Sequence, residues 1–66
     1  MFILVETLDG DCIFEGEADD FLFKNDNDYE LENILDDLEC KNFGDTIRVN
    51  NDDNSYIITK IDELLY

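Results

Sequence analysis

Three acidic residues at alternate positions, Asp26, Asp28 and Glu30, have the spacing of the first ligands in a calcium-binding loop. Such a loop also needs Gly at its sixth position and a bidentate Glu at its twelfth, because the chain must turn sharply and then close on the ion. This sequence has Leu31 and Asp37 at those two positions. The three acids fit better as the start of a helix, where they face the positive end of its dipole. We therefore expect no metal site, and nothing in the sequence indicates a cofactor.

Residue sets typical of catalysis are also missing from the sequence. The chain has no His, no Gly-rich phosphate loop, and no Ser or Cys beside a candidate base. Neighbouring carboxylates such as Asp19-Asp20 point in different directions along a regular element, so they do not form an acid–base pair by themselves. The sequence favours a binding protein over an enzyme.

A predicted helix carries the most regular acidic pattern. It should run from about Asp28 to Cys40 with Asn27 as its N-cap, and its apolar stripe consists of Leu31, Ile34, Leu35 and Leu38. One flank of this stripe carries Asp28, Glu32, Asp36 and Glu39, and the other carries Glu30 and Asp37. Like charges at this spacing destabilise a helix, and near its C-terminus Lys41 alone is placed to compensate. The pattern is typical either of a solvated face or of a surface that meets a basic partner.

Composition points to the same class of partner. The 66 residues include 19 Asp and Glu but only four Lys and Arg, which gives a net charge of −15. Nucleic acids and anionic membranes repel such a chain, whereas proteins that hold nucleic acid attract it. No apolar run approaches the length of a membrane span. Cys12 and Cys40 are too few for a disulfide framework, and we expect them to be reduced and half-buried in a cytoplasmic protein.

The remaining sequence predicts the strands that support the helix. Phe2 to Thr7 is a mostly apolar strand, Asp9-Gly10 indicates a tight turn, and the return strand should run from Cys12 to Glu15 and end at Gly16. Glu17 to Asp20 reads as an acidic connection, and Phe21 to Phe23 as a third strand or a loop. Thr46 to Val49 and Tyr56 to Lys60 complete a second hairpin. The prediction is one α+β domain over residues 1–66, with an antiparallel sheet of four or five strands packed by one helix.

The second hairpin resembles a known family. Ile47 to Asp52, followed by Asn54 and Tyr56, is similar to the central hairpin of small acidic Cas9-inhibiting anti-CRISPR proteins found in Listeria prophages. Those proteins have an α+β fold and act as DNA mimics in the groove that reads the protospacer-adjacent motif. The resemblance implies partner contacts by Asn51, Asp52 and Asn54, and we add Asp53 at the same tip. That family has Gly where this chain has Asp53.

The leading hypothesis is a noncatalytic, phage-encoded inhibitor that mimics nucleic acid and blocks a basic nucleic-acid-binding site on a bacterial protein, with a CRISPR nuclease as the first target. The expected contacts are the hairpin tip and the helix acids Asp28, Glu32, Asp36, Asp37 and Glu39. A mimic directed at RNA polymerase, a restriction enzyme or uracil-DNA glycosylase remains open. A different class also remains open, namely a small module that forms homodimers through Leu64, Leu65 and Tyr66.

Overall fold

The computed structural model describes residues 1–50 and 55–62. Their elements are β1 (Phe2–Thr7), β2 (Cys12–Glu17), α1 (Ala18–Lys24), α2 (Tyr29–Glu39), β3 (Thr46–Asn50) and β4 (Ser55–Ile61). The α+β class and the antiparallel sheet are confirmed, with four strands and with two helices in place of one. No described helix is long and apolar enough to cross a membrane.

The four strands form one antiparallel sheet in the order β2-β1-β4-β3. Each hairpin pairs its own strands, and the first and last strands then pair with each other along their whole length, from Phe2 opposite Ile61 to Thr7 opposite Tyr56. β1 is therefore central, which agrees with its apolar sequence. α1 lies nearest β2 and α2 nearest β3, so that the two helices form a layer over one face of the sheet.

The hydrophobic core lies between this helical layer and the sheet. Successive residues of a strand point to opposite faces, so Ile3 and Val5 of β1 lie on the helix side together with Ile58, their neighbour on β4. All three are fully buried. The whole buried set is Ile3, Val5, Ala18, Phe21, Leu31, Leu35, Leu38, Val49 and Ile58. The predicted leucine stripe of α2 is thus the helical side of the core, with Ile34 packed at its border.

The first hairpin differs from its prediction at both ends. Gly10 has φ +94°, but Asp9 is not among the residues with positive φ, so the turn is not the two-residue type that Asp-Gly favours. Its hydrogen bonds run from Gly10 N to Thr7 O and from Thr7 N to Asp11 O. β2 also continues through Gly16 to Glu17, because Gly16 at φ +155° leaves space for the Phe14 ring, which a Cβ there would approach to 3.2 Å.

The segment predicted as an acidic connection and a third strand or loop is instead helix α1. Ala18, Phe21 and Leu22 are spaced for one helical face, and the first two are buried. The Phe21 ring lies 5.1 Å from that of Phe14 and 6.1 Å from that of Tyr56, between centroids. Three adjacent large apolar residues, Phe21 to Phe23, suggested a strand or a loop. The segment is a helix because Ala18 lies three and four residues before Phe21 and Leu22, which places all three on one helical face.

Two smaller predictions also need correction. The N-cap of α2 is Asp28, while Asn27 and Asp26 adopt left-handed backbone conformations in the turn before it, with φ of 54° and 59°. Asn and Asp tolerate this conformation better than other residues with a side chain. Cys12 and Cys40 are free thiols, but both are exposed rather than half-buried.

Candidate partner-binding surface

An acidic groove runs between α1 and α2. Three of the predicted helix acids, Glu32, Asp36 and Glu39, line one side of it, and Asp19 of α1 lines the other. Its apolar part includes Ala18, Leu22 and Leu35 and the side chain of Met1, and its volume is about 270 Å³. All four carboxylates are on exposed residues. The groove therefore presents a row of negative charges beside an apolar floor.

Asp19 is the contribution that sequence reasoning missed. It was assigned to a connection, and its place opposite α2 depends on α1 being a helix. The helical spacing of Ala18, Phe21 and Leu22 was the available signal, because a helix with that buried face turns Asp19 toward its neighbour.

Asp28 does not join the other three acids of its predicted row. Its Oδ1 accepts hydrogen bonds from the backbone N of Glu30 at 2.8 Å and of Leu31 at 3.3 Å, which caps α2. Asp28 and Glu30 instead line a second cleft, of about 150 Å³, together with Arg48 and Asn50 of β3. Asp28 thus has a structural function that sequence reasoning had given to Asn27.

Asp37 lies on the opposite flank of α2. It is exposed, and it follows Glu30 by seven residues, which places both on one side of the helix. Its backbone carbonyl accepts a hydrogen bond from Cys40 N in the last turn. The structure therefore does not bring Asp37 together with the groove acids, and the five predicted contacts on the helix do not form one cluster.

The hairpin tip Asn51 to Asn54, with Asp52 and Asp53, lies outside the described residues. The last described pair on either side of it is Asn50 opposite Ser55. Arg48 Nε donates a hydrogen bond to Asn50 Oδ1 at 3.2 Å. Asn50 lines the same cleft as Asp28, so the last described residue of β3 lies close to the N-terminus of α2.

The four basic side chains leave the acids of the helical layer unneutralised. Lys24 Nζ lies 5.3 Å from the centre of the Phe14 ring, and Lys60 Nζ donates to the carbonyl oxygens of Glu39 and Lys41, at 2.7 Å each. Over residues 1–50 and 55–62, no carboxylate of α1 or α2 forms an ion pair, whereas Glu17 of β2 pairs with the N-terminal ammonium at 3.3 Å. The negative charge of the layer is therefore available to a partner.

Two exposed aromatic residues flank the turn between the helices. Phe23 and Tyr29 are each 75% exposed, and neither was among the predicted contacts. Aromatic side chains are enriched at the centres of protein interfaces, so their exposure beside acids is typical of a binding surface. Among the residues that the structure describes, no three carboxylates or thiols come together as a metal site would require.

Comparison with known proteins gives no relative: no family model, curated protein or solved structure matches the chain. The class of protein is therefore described from the fold and the charged surface alone. The chain is a small α+β domain with a four-stranded antiparallel sheet, covered on one face by two helices that carry exposed, unpaired acids.

Proposed function

We propose that this protein is a noncatalytic inhibitor that mimics nucleic acid and occupies the basic nucleic-acid-binding site of a bacterial protein in the cytoplasm. The observation that carries the proposal is the acidic groove between α1 and α2, whose carboxylates form no ion pair within the part of the chain that the structure describes. Exposed carboxylates in rows substitute for phosphates because both present anionic oxygens to Arg and Lys.

The spacing of the acids supports the proposal. Glu32, Asp36 and Glu39 follow one another at intervals of four and three residues, which is about 4.5 to 6 Å along a helix axis. Phosphates along one strand of DNA advance by about 3.4 Å per nucleotide, so the two rows are similar in scale. A basic groove that binds a nucleic-acid backbone would meet a comparable row of charges here.

The proposal is also supported by the destabilising effect of these acids on α2. Glu32 and Asp36 are like charges one turn apart, and Asp36 and Glu39 lie near the negative end of the helix dipole. Each of these placements destabilises α2, and a function in binding accounts for their retention.

Because the second hairpin resembles that of the Cas9-inhibiting anti-CRISPR proteins, we propose a CRISPR nuclease of the Cas9 type as the first target. In such enzymes arginines read guanines in the protospacer-adjacent motif, and the Asp52 carboxylate with the side-chain amides of Asn51 and Asn54 would compete for those arginines. RNA polymerase, a restriction enzyme and uracil-DNA glycosylase are the other targets to be tried. Homodimers through Leu64, Leu65 and Tyr66 would involve residues outside the described part of the chain.

The test begins with immobilised protein and bacterial lysates, including one that contains a CRISPR nuclease. Mass spectrometry should identify a nucleic-acid-binding protein, DNA should compete for it, and the affinity should fall steeply with added salt. Recovery of no such protein, or an affinity that ignores salt, would contradict the proposal.

A matched pair of variants then locates the surface. Glu32→Gln, Asp36→Asn and Glu39→Gln together remove three charges from the groove, and we expect them to weaken binding at least tenfold, by about 0.5 to 1 kcal/mol for each charge. Asp9→Asn, Asp11→Asn and Asp62→Asn remove three exposed charges elsewhere and should cost far less. Equal losses in the two triple variants would show that net charge alone acts, and that the groove is not the binding site.

A further inference from the structure

β3 is an outer strand of the described sheet, whose order is β2-β1-β4-β3, so one of its sides is a free edge. Lys60 N donates a hydrogen bond to Asp45 O, and the Asp45 carbonyl therefore points toward β4. Backbone groups of successive residues in an antiparallel strand point alternately to its two sides. Those that point away from β4 belong to Thr46, Arg48 and Asn50. Within residues 1–50 and 55–62, nothing forms a hydrogen bond with these outward backbone groups.

A cleft of about 150 Å³ lies beside this edge, between β3 and the first half of α2. It is lined by residues 48–50 of the strand and by Asp28, Glu30 and Ile34 on the helix side. Val49 is buried under the helices, so the side chains of its neighbours on β3 point to the other face. There Arg48 Nε bonds to Asn50 Oδ1. The strand therefore borders the cleft with its backbone, and the helix borders it with two carboxylates and the half-buried Ile34.

A row of unpaired backbone groups is complementary to a further strand. The outward groups recur at every second residue of β3, about 7 Å apart, and the bonding groups of any extended chain have the same repeat. The opposite edge of the sheet is less suitable, because the register between β1 and β2 shifts between Val5 and Glu6, as at a β-bulge. The pairing of β3 with β4 shows no such shift.

The charge of the cleft selects the kind of strand. Two copies joined through β3 would bring together Asp28 and Glu30 of both, on chains that each have a net charge of −15. Neither carboxylate forms an ion pair within the described residues, so Lys or Arg of another protein would find both unneutralised. We infer that the cleft binds an extended basic segment of another protein, which adds to β3 as an antiparallel fifth strand.

The geometry of the sheet assigns the side chains of this segment. Residues directly opposite one another in an antiparallel pair share a face. A segment residue opposite Arg48 would exchange backbone hydrogen bonds with it and point its side chain away from the helices. A residue opposite Val49 would point its side chain toward Glu30 and direct its own N–H away from β3. Lys and Arg therefore belong at alternate positions, with neutral residues between them.

The direct test is a short peptide in which Lys alternates with Thr, blocked at both termini and titrated into ¹⁵N-labelled protein. In the free protein the amides of Thr46, Arg48 and Asn50 should exchange fast, because their N–H groups point to solvent. Bound peptide should slow their exchange at least tenfold. The amides of Ile47 and Val49 already bond to β4 and should change little. If the outward amides become protected in concentrated protein without peptide, the occupant is a second copy and the inference fails.

Two N-methylated peptides of equal charge provide matched controls. Methylation of the Thr residues removes the N–H groups that would bond to β3, so the affinity should fall at least tenfold. Methylation of the Lys residues removes only N–H groups that point away from β3, so the affinity should remain within about twofold. Equal effects of the two methylations would show that the peptide does not bind as this strand, and would overturn the inference.

A pair of protein variants tests the carboxylates. Glu30→Gln should weaken peptide binding about twofold to fivefold, and its side chain takes no part in capping α2. Asp62→Asn removes an equal charge beyond the end of β4 and should have almost no effect. Equal losses would mean that general attraction to an acidic chain is responsible, which contradicts a site at the cleft. The inference does not depend on the proposed function, because Glu32, Asp36 and Glu39 line the other groove and not this cleft.

Discussion

Lys60 of β4 contacts the C-terminal end of α2. Its Nζ bonds to the carbonyl oxygens of Glu39 and Lys41 and lies 5.2 Å from the centre of the Phe43 ring. We expect Lys60→Met to lower the free energy of unfolding by about 1 to 2 kcal/mol, since two carbonyls at the negative end of the helix dipole lose a charged donor. Urea denaturation measures this. Lys41→Met should change stability by less than about 0.5 kcal/mol, and equal effects would show that general charge is responsible.

Asp28 offers a second prediction at the residue scale, because its carboxylate caps α2. Asp28→Ala should destabilise the protein by about 1 kcal/mol, whereas Asp28→Ser, which retains an acceptor, should cost much less. If Asp28 also contacts the partner, Asp28→Ser will weaken binding while leaving the thermal midpoint nearly unchanged. An unchanged affinity for Asp28→Ser would restrict Asp28 to capping.

At the scale of elements, the acids near the C-terminus of α2 destabilise the helix, although the proposed function needs them to bind the partner. Asp36→Asn with Glu39→Gln removes two charges from the unfavourable end of the dipole, so the free energy of unfolding should rise by about 0.5 to 1 kcal/mol. The same variant should bind the basic partner more weakly. Urea denaturation and a binding titration on one preparation measure both, and a variant that loses stability would contradict the dipole argument.

The elements also show what the sequence could and could not predict. α2 and the strands of both hairpins follow from strong apolar periods, and these were predicted to within one or two residues. The exception is β2, where Gly16 suggested an end and instead gives room to Phe14. α1 was missed because Phe21 to Phe23 is apolar at every position, and only Ala18 reveals its helical period. The groove depends on how α1 lies against α2, which no local pattern contains.

For the whole molecule, the unpaired acids predict an unusual response to salt. With a net charge of −15 and no ion pairs on its helices within the described residues, the folded chain repels itself more than the expanded one. Sodium chloride should therefore raise the thermal midpoint by several degrees between low and physiological ionic strength. The triple neutral variant of the groove should show a smaller increase, and a midpoint that falls with salt would contradict the argument.

The pairing of β1 with β4 has a consequence for how the protein is made. Of the four described strands, β1 is synthesised before the others, and it lies between β2 and β4, the last of the four in chain order. Ile3, Val5 and Ile58 meet where β1 and β4 pair. An emerging chain that lacks β4 has one isolated hairpin and two short helices, and none of these is stable alone. Formation of this sheet must therefore wait until β4 has left the ribosome, so chains terminated before β4 would be left to proteolysis.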